Sequence, residues 1–294
     1  MPEISLIAGP ASADLAEKVA KRLGVRPVNA ELRVFSDGES KIKIEKPGRN
    51  CAIVESTHPP PDTHLMQALL MAHKCADSAN VCAVIPYLAY ARQDRAFLEG
   101  EVVSIALVAK LLAAAGVRHV VTVDIHSKLA MSHFGSIENI SSTPLLAEYA
   151  SKMKLKRPIA VSPDAGGAER AKDFARQLKI DSIALKKSRD RTTGEVAIEE
   201  KLGVDVSGRD AILVDDMISS GGSIVKSAQV LRKNGIGKVY AMCAHALLIG
   251  DAAQKIKAAG VQDIIATNSV PGEYSKVDLS PAIAQALKSY YSSA

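Results

Sequence analysis

Tryptophan is missing from the 294-residue chain, and Phe and Tyr together supply only 4% of it. Large rings cannot fill the core, so Val, Ile, Leu and Ala must, and that composition suits buried strands under amphipathic helices. No C-x-x-C pair occurs among Cys51, Cys75, Cys82 and Cys243, which argues against a zinc or thioredoxin-type motif. Three of the four lie in apolar or helical stretches and read as small buried hydrophobes. The most apolar stretch, Val102 to Val117, is interrupted by Lys110 and falls short of the ~20 residues a membrane span requires. The opening MPEISLIAGP lacks the charged-then-apolar signature of a signal peptide, so a soluble, cytoplasmic protein with no membrane partner is expected. Charge of one sign is also scarce: 37 basic against 32 acidic residues leave +5. That excess reads as solvated surface, and no nucleic-acid partner is expected. What the chain does have is 47% hydrophobic and 23% charged residues, which excludes a disordered tail, a collagen-like fibre and a disulfide-stapled mini-domain.

Short apolar runs recur, and many end in a polar loop that opens a helical pattern. Ile4 to Ala8 meets Gly9-Pro10, after which Ser12 caps a helix stopped by Gly24. Val81 to Ile85 meets Pro86, and His119 to Val123 meets Asp124-Ile125-His126. Ile159 to Ser162, Ala211 to Val214, Val239 to Ala244 and Ile264 to Thr267 repeat the rhythm. Strands alternating with helices predict βαβ units and mainly parallel sheets flanked by helices, an α/β fold whose ligands bind at the carboxyl ends of strands. Length predicts two domains. No Pro- or Ser-rich linker separates them, and a break near Ser141 to Pro144 divides the chain into 1–142 and 143–294.

The segment richest in chemistry is Ala211 to Gly222, followed by Ser223. An apolar strand delivers Asp215 and Asp216, and the small-residue loop Ser219-Ser220-Gly221-Gly222-Ser223 opens a helix. Glycines let backbone N–H groups approach a phosphate, hydroxyls add donors, and the helix N-terminus favours negative charge. The acids repel phosphate but can hold sugar hydroxyls. Generic Gly-rich turns are common, yet two acids plus five small residues after a strand are more than such a turn needs. Four further segments stand at strand ends or between strands: Phe35-Ser36-Asp37-Gly38-Glu39, Tyr90-Ala91-Arg92-Gln93-Asp94-Arg95, Asp124-Ile125-His126 and Ser162-Pro163-Asp164-Ala165-Gly166-Gly167. Guanidiniums suit phosphate oxygens, His126 suits a metal or a phosphate, and the acid with a Gly pair suits a magnesium–pyrophosphate cradle. Taken singly, an acidic turn or a strand-end histidine is more often structural.

The Asp215–Ser223 segment resembles the ribose-phosphate loop of type I phosphoribosyltransferases and ribose-phosphate pyrophosphokinases. All five segments together, in this order, resemble the ribose-phosphate pyrophosphokinase family along nearly the whole chain; phosphoribosyltransferases share only the last loop and the general fold. The resemblance implies two similar phosphoribosyltransferase-type domains, the first on the ATP side and the second on the ribose 5-phosphate side. It implies transfer of the diphosphoryl group of ATP to the C1 hydroxyl of ribose 5-phosphate, with Mg²⁺ as cofactor. It implies that Phe35, Asp37, Glu39, Arg92, Gln93, Asp94 and His126 serve ATP, the hairpin residues acting on a neighbouring subunit of a homo-oligomer. His126 and Asp164 would help hold the metal. Asp215, Asp216, Ser219, Ser220, Gly221, Gly222, Ser223 and Arg189 would take ribose 5-phosphate. Lys187 and Arg189 match the spacing of the family's catalytic loop, with Lys186 the alternative lysine. Ser219 stands where relatives often carry an acid, which removes one acceptor from the loop but leaves its donors.

Overall fold

The computed structural model describes residues 3–45, 47–76, 80–189, 196–198 and 202–293, with backbone alone for 187–189 and 196–198. In chain order the first elements are β1 (Ile4–Ala8), α1 (Ala13–Leu23), β2 (Ala30–Val34), β3 (Ser40–Ile44), β4 (Asn50–Val54), α2 (Pro61–Ala76), β5 (Asn80–Ile85), α3 (Ser104–Ala114), β6 (Val117–Val123), α4 (Lys128–Met131) and β7 (Ile137–Ile140). There follow α5 (Thr143–Ser151), β8 (Ile159–Ser162), α6 (Ala168–Leu178), β9 (Asp181–Ala184), β10 (Lys187–Arg189), β11 (Val196–Ile198), β12 (Ala211–Ile218) and α7 (Gly222–Lys233). The chain closes with β13 (Val239–Ala246), α8 (Ala252–Ala258), β14 (Val261–Thr267), β15 (Ser275–Val277) and α9 (Ser280–Ser293).

Two compact units result: Met1–Ser141 with Ser269–Pro271 and Asp278–Ala294, and Ser142–Asn268 with Gly272–Val277. The sequence-based division needs correction at the C-terminus, because α9 belongs to the first unit. Arg22 of α1 donates to Ser280 Oγ at 2.8 Å and pairs with Asp278 at 3.5 Å. Tyr291 donates to the Cys51 carbonyl, and the Tyr290 ring stacks on His119 at 4.4 Å. These partners lie more than 150 residues upstream, so no local pattern announces them.

The first unit is built on a sheet of order β1-β4-β5-β6-β7, every neighbouring pair parallel. Helix α1 forms because Leu15, Ala16, Val19 and Ala20 recur on one face and are buried there, and it stops where Gly24 takes φ +71°. Antiparallel β2 and β3 form a separate two-stranded ribbon. The second unit carries the order β15-β14-β13-β12-β8-β9, again parallel throughout. Its strands read as continuous apolar runs because helices cover both faces. Ala211 and Leu213 pack in one cluster with Ile224, Ala228 and Leu231 of α7. Ile212 and Val214 pack in another with Leu146 and Ala150 of α5 and Phe174 of α6. Period-two alternation thus decides which helix each residue of β12 meets.

Candidate active site

The strand the sequence ended at Val214 runs on to Ile218, so Asp215 and Asp216 stand inside β12. By strand alternation Asp215 continues the Ala211–Leu213 row and Asp216 the Ile212–Val214 row. Their side chains are 24% and 7% exposed. Asp216 N–H donates to Asp215 Oδ1 at 2.9 Å, and Met217 N–H donates to Asp216 Oδ1 at 3.0 Å. Arg170 of α6 stands astride both acids, with Nη1 at 3.5 Å from Asp215 Oδ1 and Nη2 at 3.7 Å from Asp216 Oδ2. Burial pushes the Asp215 carboxyl up to about 7, the adjacent Asp216 pushes the same way, and Arg170 opposes both.

Beyond β12 the chain turns through Ser219 and Ser220 to Gly221, which holds φ +78° at the N-cap of α7. A Cβ there would lie 2.9 Å from Ile256 Cδ1, so both conformation and space require glycine. No side chain caps α7, and Gly222 and Ser223 are exposed. The turn therefore presents first-turn amides, three serine hydroxyls and the positive end of a helix dipole, the equipment of an anion site. The second turn of this unit, between β8 and α6, holds Asp164 half-buried, its Oδ1 accepting Gly167 N–H at 3.2 Å. Ser162 Oγ braces the same turn by donating to the Asp164 carbonyl at 2.6 Å.

In the first unit, the loop after β5 is organised by carboxylates. Glu101 accepts from the amides of Phe97 and Leu98 and from Gln93 Nε2, at 2.7, 3.1 and 3.0 Å. Asp94, only 5% exposed, takes the Arg95 guanidinium at 2.9 Å and the hydroxyl of Ser127. Those two donors, Arg95 first, hold its carboxyl down at about 2. Ser127 Oγ also caps α4 by accepting Ala130 N–H at 3.0 Å. Asp94 thus latches the loop after β5 to the loop after β6, where His126 stands exposed. Arg92 is exposed on the same loop as Asp94. Phe35, Asp37 and Glu39 sit on the exposed tip of the β2–β3 ribbon, shaped by Asp37 Oδ1 accepting Glu39 N–H at 3.1 Å. The Arg33 guanidinium lies over the Phe35 ring, 5.1 Å from its centroid.

The turn after β1 is closed from within. Glu55, at the end of β4, is 1% exposed, and its Oε2 accepts Ala11 N–H at 3.0 Å. Among the described residues its Oε1 has no partner, and burial pushes the carboxyl up to about 8. A Cβ on Gly9 would lie 2.6 Å from Glu55 Cδ. Ser12 stands at the N-cap of α1 as the sequence suggests, but its hydroxyl accepts Ser56 N–H at 2.8 Å instead of capping the helix.

Comparison with known proteins decides the family. The N-terminal domain of ribose phosphate pyrophosphokinase matches residues 4–116, and a phosphoribosyl synthetase-associated domain matches residues 198–289. The ribose-phosphate pyrophosphokinase of Sulfurisphaera tokodaii is 38% identical, covering 95% of this chain and 99% of its own. That of Methanosarcina mazei is 36% identical over 98% and 96%. The crystal structure of phosphoribosylpyrophosphate synthetase from Mycobacterium smegmatis superposes with a TM-score of 0.88 at 28% identity, covering 99% of this chain and all of the other. The chain belongs to the ribose-phosphate pyrophosphokinase family. It is accordingly an enzyme, with the α/β fold and parallel sheets that the resemblance implied.

Within this ribose-phosphate pyrophosphokinase fold, each unit gathers its own set of the expected residues at strand ends. Asp164, Asp215, Asp216 and the Ser219–Ser223 turn occupy the second unit. Arg92, Gln93, Asp94 and His126 flank the Asp94–Ser127 latch in the first. Lys187 and Arg189 lie in β10, whose backbone pairs antiparallel with β11; their side chains and residues 190–195 fall outside the described structure. Lys186 is exposed immediately before β10. Among the described residues no three His, Cys, Asp or Glu side chains form a metal cluster, and no helix is long and apolar enough to cross a membrane. Sequence reasoning missed Arg170, Glu55, Glu101 and Ser127. Only Arg170 left a signal, a base in the first turn of the helix that SPDAGG opens.

Proposed function

We propose that the enzyme transfers the diphosphoryl group of ATP to the C1 hydroxyl of ribose 5-phosphate, yielding 5-phosphoribosyl 1-diphosphate and AMP. The observation that carries this reading is the β12–α7 turn, where paired acids stand beside an uncapped helix N-terminus opened by Gly221. A phosphorylated sugar fits that combination: acids accept its hydroxyl protons, while amides and serines take its 5-phosphate. The C1 oxygen attacks the β-phosphorus, and the bond from that phosphorus to the bridging oxygen of AMP breaks. AMP leaves with the electron pair, and the hydroxyl proton passes to solvent. Such a transfer depends chiefly on positioning and charge neutralisation. Arg92 and Gln93 would contact the nucleotide, Asp94 would hold their loop, and Lys187 and Arg189 would meet charge developing on the migrating group.

Mg²⁺ fits the donor chemistry. It is commonly held by one or two carboxylates plus substrate phosphates, and Asp164 offers a half-buried carboxylate in the β8–α6 turn. The exposed His126 is the other residue proposed to serve the metal. When bound, the cation would neutralise charge on the triphosphate oxygens. Asp37, Glu39 and Phe35 would complete the ATP site of a neighbouring subunit in a homo-oligomer, a role supported by their exposure on a ribbon tip. The test is AMP release by the full chain with ATP and Mg²⁺, with and without ribose 5-phosphate. Ribose-dependent AMP is the expected result; folded protein yielding none overturns the proposal.

A further inference from the structure

A buried pair of adjacent acids is electrostatically unfavourable unless something compensates it. Asp215 and Asp216 are consecutive in β12 and mostly desolvated. One side chain reaches both. Arg170, itself only 24% exposed, divides its two terminal nitrogens between the carboxylates. Contacts of 3.5 and 3.7 Å are longer than a bidentate pair with one acid (~2.8 Å), as expected for a planar fork spanning two partners. We propose that Arg170 is a positioning residue for the sugar: by spanning Asp215 and Asp216 it fixes the two carboxylates where they accept the hydroxyl protons of ribose 5-phosphate. This inference rests on the assignment of ribose 5-phosphate to the β12–α7 turn.

The groups around Asp215 support a dominant role for Arg170. Arg170 and Asp216 are the charged groups acting on it. On β13 its register partner is Cys243, a thiol that burial pushes up and holds neutral, and His245 stands two positions further, beside Met217. From α7 the buried residues are Ile224, Ser227, Ala228, Val230 and Leu231, none of them an acid or base. From α6 itself the other charged residues, Glu169, Lys172, Asp173 and Arg176, are exposed and paired with one another. Arg170 is the cation that acts on Asp215.

The full chain is tested in two ways. First, the Asp215 carboxyl is titrated by carbon-13 NMR, assigned against Asp215→Asn, in the wild type, Arg170→Gln and Arg170→Lys. Second, KM and kcat for ribose 5-phosphate are measured at saturating ATP and Mg²⁺ from ~pH 6 to ~pH 9, a span that brackets the Asp215 titration. Arg170→Gln should move the Asp215 midpoint up by roughly one pH unit. It should raise KM for ribose 5-phosphate about tenfold or more while changing KM for ATP and kcat by less than about threefold, and shift the acid limb of kcat/KM to higher pH. Arg170→Lys, a point charge able to serve one acid at a time, should fall between. A folded Arg170→Gln with an unchanged midpoint, or with unchanged KM, overturns the proposal. Should the Gln variant not fold, the Lys variant decides alone by the same two readings. If the wild type releases no ribose-dependent AMP, the function proposed above falls; the titration and calorimetric binding of ribose 5-phosphate then still support or overturn the role of Arg170.

Discussion

At the end of β1 the chain passes through Gly9 into a helix and fills the turn with its own carboxyl, Glu55. At the end of β12 it passes through Gly221 into a helix and leaves the turn open. Both turns join a parallel strand to a helix whose first amides need acceptors. In the first, a neighbouring strand supplies one acceptor permanently, and Gly9 is needed because that carboxyl occupies the space of a Cβ. In the second, glycine is needed for φ and for clearance from Ile256, and no side chain caps the helix. The same supersecondary unit is therefore filled from within in one unit and left open in the other. What separates them is a side chain delivered from another strand.

Four perturbations test this contrast, beginning with the largest effect. Asp215→Asn should lower kcat/KM for ribose 5-phosphate at least ~100-fold by removing charge-assisted acceptors worth ~1.5–3 kcal/mol each; near-wild-type kinetics would show that the open turn does not hold the sugar. Gly221→Ala forces a side chain into φ +78° against Ile256. It should raise KM for ribose 5-phosphate about tenfold and destabilise by ~1–3 kcal/mol. The matched Gly9→Ala, displacing Glu55, should cost similar stability without a specific KM effect.

The third concerns pH. An acid whose folded value is raised contributes stability that is complete below its unfolded value, ~4.3 for Glu, and is lost as pH climbs through the folded value, here about 8. Glu55→Gln keeps the shape without the charge. Its unfolding free energy relative to wild type should therefore increase between ~pH 5 and ~pH 8, reaching a difference of several kcal/mol; a difference independent of pH would mean Glu55 is not a neutral plug. Asp215 obeys the same sign with a value of about 7. Ribose 5-phosphate binding should accordingly weaken as pH falls below 7 and the acceptor becomes protonated. The smallest effect is expected from Asp94→Asn. It loosens the latch to Ser127 and should raise KM for ATP a few-fold; an unchanged KM would show that the latch does not hold the nucleotide loop.

Much of the site was readable before any coordinates. The apolar run from Ala211, the acids and the small-residue loop identify a strand, a turn and a helix start, because each follows from neighbours within a dozen residues. The strand was nonetheless read as ending at Val214, since consecutive acids resemble a loop; they remain in β12 because parallel partners continue to Ile218. Arg170 escaped because an arginine on an amphipathic helix is ordinarily solvated, and only the packing of α6 against β12 turns it toward the acids. Glu55 escaped because it opens the polar loop after β4, and only burial under Gly9 makes it a neutral plug.

Local order along the chain determined the α/β class, the strand-end location of the chemistry and the resemblance carried by five segments, since hydrophobic period and turn residues act over short distances. Tertiary structure alone decided that α9 closes the first unit, that Asp94 ties two loops together, that Arg170 spans two acids, and that one glycine turn is filled while the other is open. Those outcomes depend on which side chains meet across tens or hundreds of residues. Burial and charge then set each carboxyl's state, from about 2 at Asp94 to about 8 at Glu55, because a carboxyl's charge depends on its surroundings rather than on its place in the chain.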